Sequence, residues 1–451
     1  MMAHSQSYLS TLSANLDLFF VIGASRGKDL STAFDAAYKE NPELATKMLL
    51  WARDARGGAG ERQTVRSLLQ HMERKNPKNL LKIIPHIPTF GRWDDLLIFN
   101  NPDTKSAAYD QIHQALKAGN GLCAKWMPRK GAQAAELRQA LGLNPKQYRK
   151  TLVNLTKVVE TQMCAGEWDK INFQSVPSLA SARYQKAFAR NAGQAYQKFL
   201  TKVENGQATI NASVVYPHDV VKASEKGDSR AANLQWDALP NFIPEGVTIL
   251  PMLDVSGSMY TAVPGSNNLM VSQVANSLAL YCSGKNTGYM KDMIMSFTDR
   301  PELTHIAGEN LSDRLKALDK LRVGYSTNVE SAVSELLRVA KANKVDEKYM
   351  PKYLLILSDM QFNSIGPRYS DTAYKSFVKQ YQEAGYQMPN VVFWNLNARL
   401  GSNPVQMDTN GVALISGFSP AILERVLGAQ NIDPMSIMLD TLNNPRYDVL
   451  N

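Results

Sequence analysis

The chain has 451 residues, whereas single domains usually have about 100–200, so two or more domains are expected. Its composition, 44% hydrophobic and 20% charged, excludes a mostly disordered chain, a collagen-like fibre and a multi-span membrane protein. The net charge of +9 is unevenly distributed, because residues 1–240 hold 32 basic and 21 acidic side chains and residues 241–451 hold 18 and 20. The basic excess therefore belongs to the N-terminal half, and it is the first indication of function.

Cysteine content and hydropathy indicate the compartment. The three cysteines, Cys123, Cys164 and Cys282, form no CxxC pair and no disulfide framework. The apolar run over 16–22 is too short for a signal peptide or a membrane span, and no run reaches about 18 apolar residues. We expect a soluble, cytoplasmic protein.

The N-terminal half has the apolar spacing of α-helices. After an N-terminal extension over 1–22, apolar residues recur every three or four positions through residues 23–205, and Asn-Pro pairs mark helix starts. Short helices joined by short turns predict a HEAT-like helical repeat domain, as a ring or solenoid. The repeated apolar positions include Leu30, Phe34, Leu44, Met48, Val65, Leu68, Met72, Leu152 and Leu155.

The pattern changes after a polar connecting segment over 206–241, whose residues 209–216 predict a strand or an extended stretch. Over 242–451, short apolar runs alternate with helical stretches, which predicts a doubly wound parallel sheet covered by helices on both faces. The fold class is therefore α followed by α/β, and ligands of such a sheet bind at the carboxyl ends of its strands. The predicted strands are 247–253, 293–297, 353–357, 391–396 and 412–415.

Oxygen-bearing side chains follow two of these strands. The first strand runs into Asp254-Val-Ser256-Gly-Ser258, whose alternate positions direct a carboxylate and two hydroxyls to one place. A second strand ends in Ser358-Asp359, and Ser326-Thr327 precedes a helix. Oxygen donors of this kind suit a hard cation such as Mg²⁺ that keeps an open coordination position. The alternative is a Ser/Gly turn that only closes the strand.

This arrangement resembles the metal-ion-dependent adhesion site (MIDAS) of von Willebrand factor A domains. The likeness implies that Asp254, Ser256, Ser258, Thr327 and Asp359 hold Mg²⁺ directly or through water. Two carboxylates against a dication leave little excess negative charge, so such a site can still accept an external carboxylate or phosphate as a ligand.

A second candidate site is the strongly basic stretch over 121–202, which holds 14 basic and 4 acidic residues. Arg183, Lys186 and Arg190 recur at helical spacing and should share one helix face. Aromatic residues lie among the cations, a combination that suits single-stranded or irregular RNA through phosphate contacts and base stacking. The alternative is a solvated helix face. The candidate RNA contacts in this stretch are Lys125, Arg129, Lys130, Arg149, Lys150, Lys157, Arg183, Lys186 and Arg190.

A glycine-containing turn over 51–62 carries further candidate RNA contacts, Arg53, Arg56 and Arg62. Its glycines allow close approach of a partner, and the helix that follows Gly60-Glu61 has an N-terminus that favours an anion. The alternative is structural, because the arginines could pair with Asp54, Glu61, Asp94 or Asp95.

The segments RDARGGAGERQ and FGRWDDLL, the basic helical stretch and DVSGSM together resemble the TROVE module and A domain of Ro-type RNA-binding proteins. The C-terminal segments ILSDMQF, VVFWNL and GVALISGFS are similar to relatives of that group in phages, bacteria and plants. The resemblance covers roughly residues 15–430. It implies a cytoplasmic ribonucleoprotein whose helical ring binds small non-coding RNA on its basic surface and admits single-stranded ends of misfolded RNA.

Three functions follow from these features. The first is an RNA-binding scaffold with a Mg²⁺-bearing A domain, which is not an enzyme. The second is a protein-interaction module or a structural component of a larger assembly, such as a phage particle, that binds an acidic partner at the metal site. A metal-dependent hydrolase is disfavoured because no general base accompanies the metal set.

The segment GASRGKD over 23–29 only mimics a phosphate-binding loop, because its glycine spacing is one residue too short.

Overall fold

The computed structural model describes residues 8–226, 229–266, 268–298, 300–321, 329–361 and 371–449, without the side chains of 371–373. Its N-terminal region is helical, and its C-terminal region is built on a six-stranded sheet, which confirms the mixed α and α/β class. The helices of the N-terminal region are α1 (Ala14–Ile22), α2 (Ser31–Glu40), α3 (Pro42–Arg53), α4 (Gln63–Lys75), α5 (Pro77–Ile83), α6 (Ile87–Phe90), α7 (Pro102–Lys117), α8 (Gly121–Trp126), α9 (Ala132–Ala140), α10 (Pro145–Leu155), α11 (Val159–Cys164), α12 (Ser178–Asn191), α13 (Gly193–Glu204), α14 (Pro217–Lys226) and α15 (Ser229–Asp237).

The Asn-Pro pairs begin helices, as predicted. Pro42, Pro77, Pro102 and Pro145 are the first residues of α3, α5, α7 and α10. In α3, α7 and α10 the preceding asparagine side chain accepts a hydrogen bond from a backbone N–H of the first turn. This is the favoured N-cap geometry, because it satisfies a donor that has no partner within the helix.

The C-terminal sheet has the strand order β3-β2-β1-β4-β5-β6. All neighbouring strands are parallel except β3, which runs antiparallel to β2 at one edge. The five strands predicted from sequence are confirmed, and β3 is an addition. The strands are β1 (Ile249–Asp254), β2 (Met293–Phe297), β3 (Leu303–His305), β4 (Tyr353–Ser358), β5 (Asn390–Asn395) and β6 (Val412–Ser416), and the helices are α16 (Val271–Lys285), α17 (Leu311–Leu318), α18 (Val329–Ala342), α19 (Asp371–Glu383), α20 (Leu423–Leu427) and α21 (Pro434–Leu442).

Helices cover both faces of the sheet. Leu253 of β1 packs in one apolar cluster with residues of α16, whereas Met252 belongs to a second cluster with residues of α18 and α19. Successive side chains of a strand point to opposite faces, so a strand covered on both sides must be apolar at every position. This explains the uninterrupted apolar runs in β1 and β4.

The predicted N-terminal extension is partly a helix that packs on the sheet. Helix α1 lies against β6, whose Ser416 Oγ donates to the carbonyl oxygen of Phe19 at 2.8 Å. Asn395 Nδ2 of the neighbouring strand β5 donates to the carbonyl oxygen of Phe20 at 2.9 Å. Gly23 follows, and a Cβ there would lie 2.2 Å from the carbonyl oxygen of Ser416. The run over 16–22 is apolar because it is buried on nearly all sides.

The predicted connecting segment over 206–241 contains α14 and α15. Both pack on α12 and α17, and α14 also packs on α16. Val220, Val221, Ala232 and Trp236 are buried at helical spacing on their inner faces. The segment is polar in composition because the outer faces of α14 and α15 carry its polar residues. Residues 209–216 form no strand and belong to a loop.

Candidate metal centre and nucleic-acid interface

The candidate metal residues lie at the point where the direction of strand succession reverses. Asp254 is the last residue of β1, and Asp359 directly follows β4, the adjacent strand. In open parallel sheets of this order, the crevice at the carboxyl ends of such a strand pair is where ligands bind. Both aspartates are buried, with 2% and 0% of their surface exposed.

Hydrogen bonds connect the two carboxylates with the two hydroxyls of the motif. Ser256 Oγ and Ser258 Oγ are 3.0 Å apart, and Ser258 Oγ donates to Asp359 Oδ1 at 3.2 Å. Ser358 Oγ donates to Asp254 Oδ2 at 2.6 Å and fixes that carboxylate from the neighbouring strand. The structure therefore brings four of the five predicted metal residues together, and the fifth, Thr327, lies outside the described residues.

The turn after β1 is shaped by Asp254 itself. The Ser256 backbone N–H donates to Asp254 Oδ1 at 2.9 Å, which folds the chain back over the end of the strand. Gly257 has an ordinary backbone conformation, and a Cβ there would meet open space. The turn therefore does not depend on glycine at this position.

The electrostatics of this cluster favour a bound cation. Burial raises the pKa of Asp254 and the nearby negative charge of Asp359 raises it further, while hydrogen bonds from Ser358 and Ser256 oppose the rise. Among the described residues, no group of three or more His, Cys, Asp or Glu side chains is placed to hold a metal. The candidate ligands of this cluster are therefore the two carboxylates and the two motif hydroxyls, and this all-oxygen set fits a hard divalent cation.

Most cations of the basic stretch have no acidic partner among the residues that the structure describes. Of the 14 basic residues over 121–202, the described part of the chain shows ion pairs only for Lys125, with Glu160 at 3.7 Å, and Lys170, with Glu167 at 2.9 Å. Arg183, Lys186 and Arg190 are exposed together along α12, as predicted. Arg129, Lys130, Arg149, Lys150 and Lys157 are also exposed, although Lys157 lies beyond the end of α10.

The interleaved aromatic residues are less available than the sequence suggested. Tyr148, Phe188 and Tyr196 are buried in the helical core. Trp126 is half-buried, and the guanidinium of Arg92 lies 3.7 Å from the centre of its ring. Base stacking on these four rings is therefore not supported. The candidate nucleic-acid interface depends on the exposed cations alone.

Arg53 has a structural position. Its side chain is buried, and Nε donates to Asp95 Oδ2 at 2.8 Å. Arg66 pairs with the same carboxylate at 2.5 Å. Arg53 is therefore unavailable as an RNA contact, whereas Arg56 is exposed and Arg62 is half-buried. Burial, followed by the neighbouring charges of Arg92 and Arg66, lowers the pKa of Arg62.

The helix N-terminus after the glycine turn is already occupied by a carboxylate of the chain. Glu61 is 1% exposed, and its Oε1 accepts a hydrogen bond from the Thr64 backbone N–H at 3.2 Å. Its Oε2 accepts from the Arg26 backbone N–H at 3.1 Å. Glu61 therefore already places a negative charge at this helix N-terminus and satisfies one first-turn donor, the Thr64 N–H.

The glycines of this turn allow close approach of the chain's own segments. A Cβ on Gly58 would lie 2.0 Å from the carbonyl oxygen of Trp51, and a Cβ on Gly60 would lie 1.7 Å from the Tyr216 hydroxyl oxygen. Beside them, Asp54 accepts hydrogen bonds from Arg446 and Tyr447 near the C-terminus. Sequence reasoning missed Arg446 and Tyr447, because no local pattern connects positions almost four hundred residues apart.

Comparisons with known proteins show similarity to families without an assigned function. Residues 249–444 match the family model described as "Domain of unknown function (DUF7788)", and residues 103–245 match "Domain of unknown function (DUF2828)". The boundary between the matches lies just before β1. The chain is 27% identical to "Uncharacterized protein L728" of Acanthamoeba polyphaga mimivirus, over 97% of this chain and 86% of the relative. Within the described residues, no helix is both long and apolar enough to cross a membrane.

Proposed function

We propose that this protein is a Ro-like RNA-binding scaffold rather than an enzyme, and that it binds small non-coding or misfolded RNA through its basic helical region. One observation carries the proposal. Twelve of the 14 basic side chains over 121–202 have no ion pair in the described structure. Cations that serve to hold a fold together are usually paired with acids, whereas unpaired cations repel one another and attract a polyanion.

Some of these cations line a groove along α12. Arg183 and Lys186 of α12 face Lys222 and Lys226 of α14 across a cleft of about 280 Å³, and Asp219 is the acidic residue in its lining. A cationic groove between helices suits an RNA backbone, because phosphates supply most of the affinity for nucleic acid.

The sheet half supports the finer part of the proposal, a von Willebrand A domain with a MIDAS. The strand order, Asp254 at the end of β1 and Asp359 after β4 agree with that likeness. In this proposal Asp254, Ser256, Ser258 and Asp359 hold Mg²⁺, with Thr327 as the fifth residue. A bound Mg²⁺ would supply an open position for a carboxylate or a phosphate of a ligand.

Charge reversal on α12 tests the RNA function. We expect the triple variant Arg183→Glu, Lys186→Glu, Arg190→Glu to lose roughly 100-fold in affinity for a fluorescent single-stranded RNA, measured by anisotropy. The slope of log affinity against log salt should fall by about 2, at roughly 0.7 per phosphate contact. The matched control reverses three exposed cations of the sheet half, Lys291, Lys320 and Lys375. Equal affinity of the wild type and the α12 variant would contradict the proposal.

The convergence of Asp254, Ser256, Ser258 and Asp359 favours a second candidate function, binding of an acidic protein partner in a larger assembly. Such a complex should dissociate in EDTA and in the Asp254→Ala variant, and it should form normally in the α12 variant. A complex that survives EDTA and Asp254→Ala would exclude the metal site as its binding surface.

A further inference from the structure

A basic cleft lies between the start of α9 and the face of α10. Its volume is about 600 Å³, within the range of small-ligand sites. Leu152, Tyr148 and Ala134 form part of its wall. The charged side chains in its lining are Arg129, Lys130, Arg138, Lys146 and Arg149.

No acidic residue belongs to this lining. Glu136 is the one acid between residues 126 and 159, and its Oε1 pairs with Lys105 Nζ of α7 at 2.7 Å. Among the described residues, none of the five cations of the cleft forms an ion pair with a carboxylate. Five like charges around one small volume repel one another, so the cleft is electrostatically incomplete without an anion.

The frame of the cleft is held by hydrogen bonds to neutral groups. Arg129 Nη2 donates to Thr156 Oγ1 at 2.9 Å, and the Tyr148 hydroxyl donates to the carbonyl oxygen of Pro128 at 2.8 Å. Burial raises the pKa of Tyr148 to about 12, so its hydroxyl stays neutral near pH 7 and offers no negative charge to the cations. Arg129 is thus oriented by a neutral hydroxyl and not by a carboxylate.

The start of α9 adds to the positive potential. Gly131 lines the cleft and precedes the first residue of α9, and no side chain caps that helix. The first-turn N–H groups of an uncapped helix carry partial positive charge. They act here together with the five formal charges.

The density of charge indicates which anion fits. Phosphates within an RNA chain are separated by riboses, so few of them can enter a cleft of this size together. Phosphoryl groups linked directly to one another place several negative charges in the same volume, and guanidinium groups recognise phosphate oxygens in pairs. Five cations around about 600 Å³ therefore match linked phosphoryl groups better than single backbone phosphates.

We propose that this cleft binds a run of linked phosphoryl groups, as found in the 5′-triphosphate end of an RNA or in a free nucleoside triphosphate. For the RNA source the inference rests on the proposed RNA-binding function, and it deepens that function by naming the part of the RNA that the cleft recognises.

Titration of the full-length protein with inorganic tripolyphosphate and with orthophosphate, at equal ionic strength, tests the ligand class. We expect tripolyphosphate to bind at least about tenfold more tightly, and we expect the variant Lys130→Glu, Arg149→Glu to lose this binding. Both side chains are exposed, so the variant should fold, and its thermal unfolding verifies this. The matched control is Lys291→Glu, Lys320→Glu. Equal binding of the two anions, or unchanged tripolyphosphate binding by the cleft variant, would overturn the inference.

Two RNAs of one sequence, with a 5′-triphosphate or a 5′-hydroxyl, identify the source. Tighter binding of the triphosphate RNA that disappears in the cleft variant but persists in the Arg183→Glu, Lys186→Glu, Arg190→Glu variant supports the RNA end. Equal binding of both RNAs together with binding of ATP supports the free nucleotide. Tripolyphosphate binding without any RNA binding would contradict the proposed function and leave the cleft assignment intact. RNA binding without tripolyphosphate binding would contradict the cleft assignment and leave the proposed function intact.

Discussion

At the scale of single residues, His218 shows how burial at the junction of the two halves sets chemical behaviour. The side chain is 6% exposed and its ring lies between those of Tyr216 and Phe418, with centroids 5.6 and 5.9 Å away. Burial lowers its pKa to about 4, the charges of Arg26 and Lys222 act in the same direction, and Asp219 opposes them. His218 is therefore neutral in the folded protein near pH 7.

This burial predicts a loss of stability in mild acid. Below about pH 6.5 the unfolded chain takes up a proton on His218, whereas the folded protein does so only near pH 4. The free energy of unfolding should fall across this window by up to about 3 kcal/mol from this residue. Urea unfolding at pH 7.0 and 4.5 should show a smaller fall for His218→Gln than for the wild type. Equal falls in the two proteins would contradict the assignment.

Individual cations also show what sequence can predict. Arg183, Lys186 and Arg190 could be placed on one exposed face because helical spacing is local information. For Arg53 the sequence left two alternatives open, an RNA contact and an ion pair with an acid such as Asp95. Only the packing of the helical region decides between them, because Asp95 lies 42 positions away. Phe188 and Tyr196 are buried against Phe173 in the helical core, and their spacing among the cations does not show this packing.

At the scale of elements, the strands and the site at their ends were the most predictable part of the fold. Strands buried on both faces must be apolar throughout, so the apolar runs of β1 and β4 can be recognised in the sequence. The polar residues that follow these runs indicate the position of the candidate site. Edge strand β3 has three residues and no such run. Helices α14 and α15 were missed because half of each surface is polar, and only their packing shows the apolar half.

The cluster at the ends of β1 and β4 predicts stabilisation by Mg²⁺. At a concentration 100 times the dissociation constant, a bound cation should add about 2.7 kcal/mol to the free energy of unfolding. Asp359→Asn should remove this gain by deleting one carboxylate of the pair, and EDTA should remove it from the wild type. The control Asp346→Asn changes an exposed carboxylate near α18 and should respond to Mg²⁺ as the wild type does. A melting temperature that is insensitive to Mg²⁺ in all proteins would contradict the metal assignment.

At the scale of the whole molecule, both chain termini connect the helical half with the sheet half. The carbonyl oxygens of Phe19 and Phe20 in helix α1 accept hydrogen bonds from side chains of β6 and β5. Lys28 Nζ donates to Asn397 Oδ1 at 2.9 Å, beyond the end of β5. Near the C-terminal end of the described chain, Arg446 donates a hydrogen bond to Asp54 in the glycine turn of the helical half. These contacts join residues that lie hundreds of positions apart, so neither pattern nor spacing could have predicted them.

Arg446→Ala should weaken this junction. Asp54 is fully buried and accepts two hydrogen bonds from Arg446, at 2.5 and 3.0 Å, so the variant leaves a buried carboxylate with less compensation. Because about a third of the Arg446 side chain is exposed, solvent moderates the expected loss to about 1–3 kcal/mol. The control Arg338→Ala removes an exposed pair with Glu335 and should cost less than about 0.5 kcal/mol. Equal effects of the two substitutions in urea unfolding would contradict this view of the junction.

We expect the cations over 121–202 that form no ion pair in the described structure to bind RNA. Ultraviolet crosslinking followed by sequencing of the RNA that co-purifies with the full-length protein tests this expectation most directly. We expect a recurring set of RNAs crosslinked to peptides from α8 to α13, and a loss of these RNAs from the variant Arg183→Glu, Lys186→Glu, Arg190→Glu. Recovery of partner proteins without RNA, or of the same RNAs from both proteins, would contradict it.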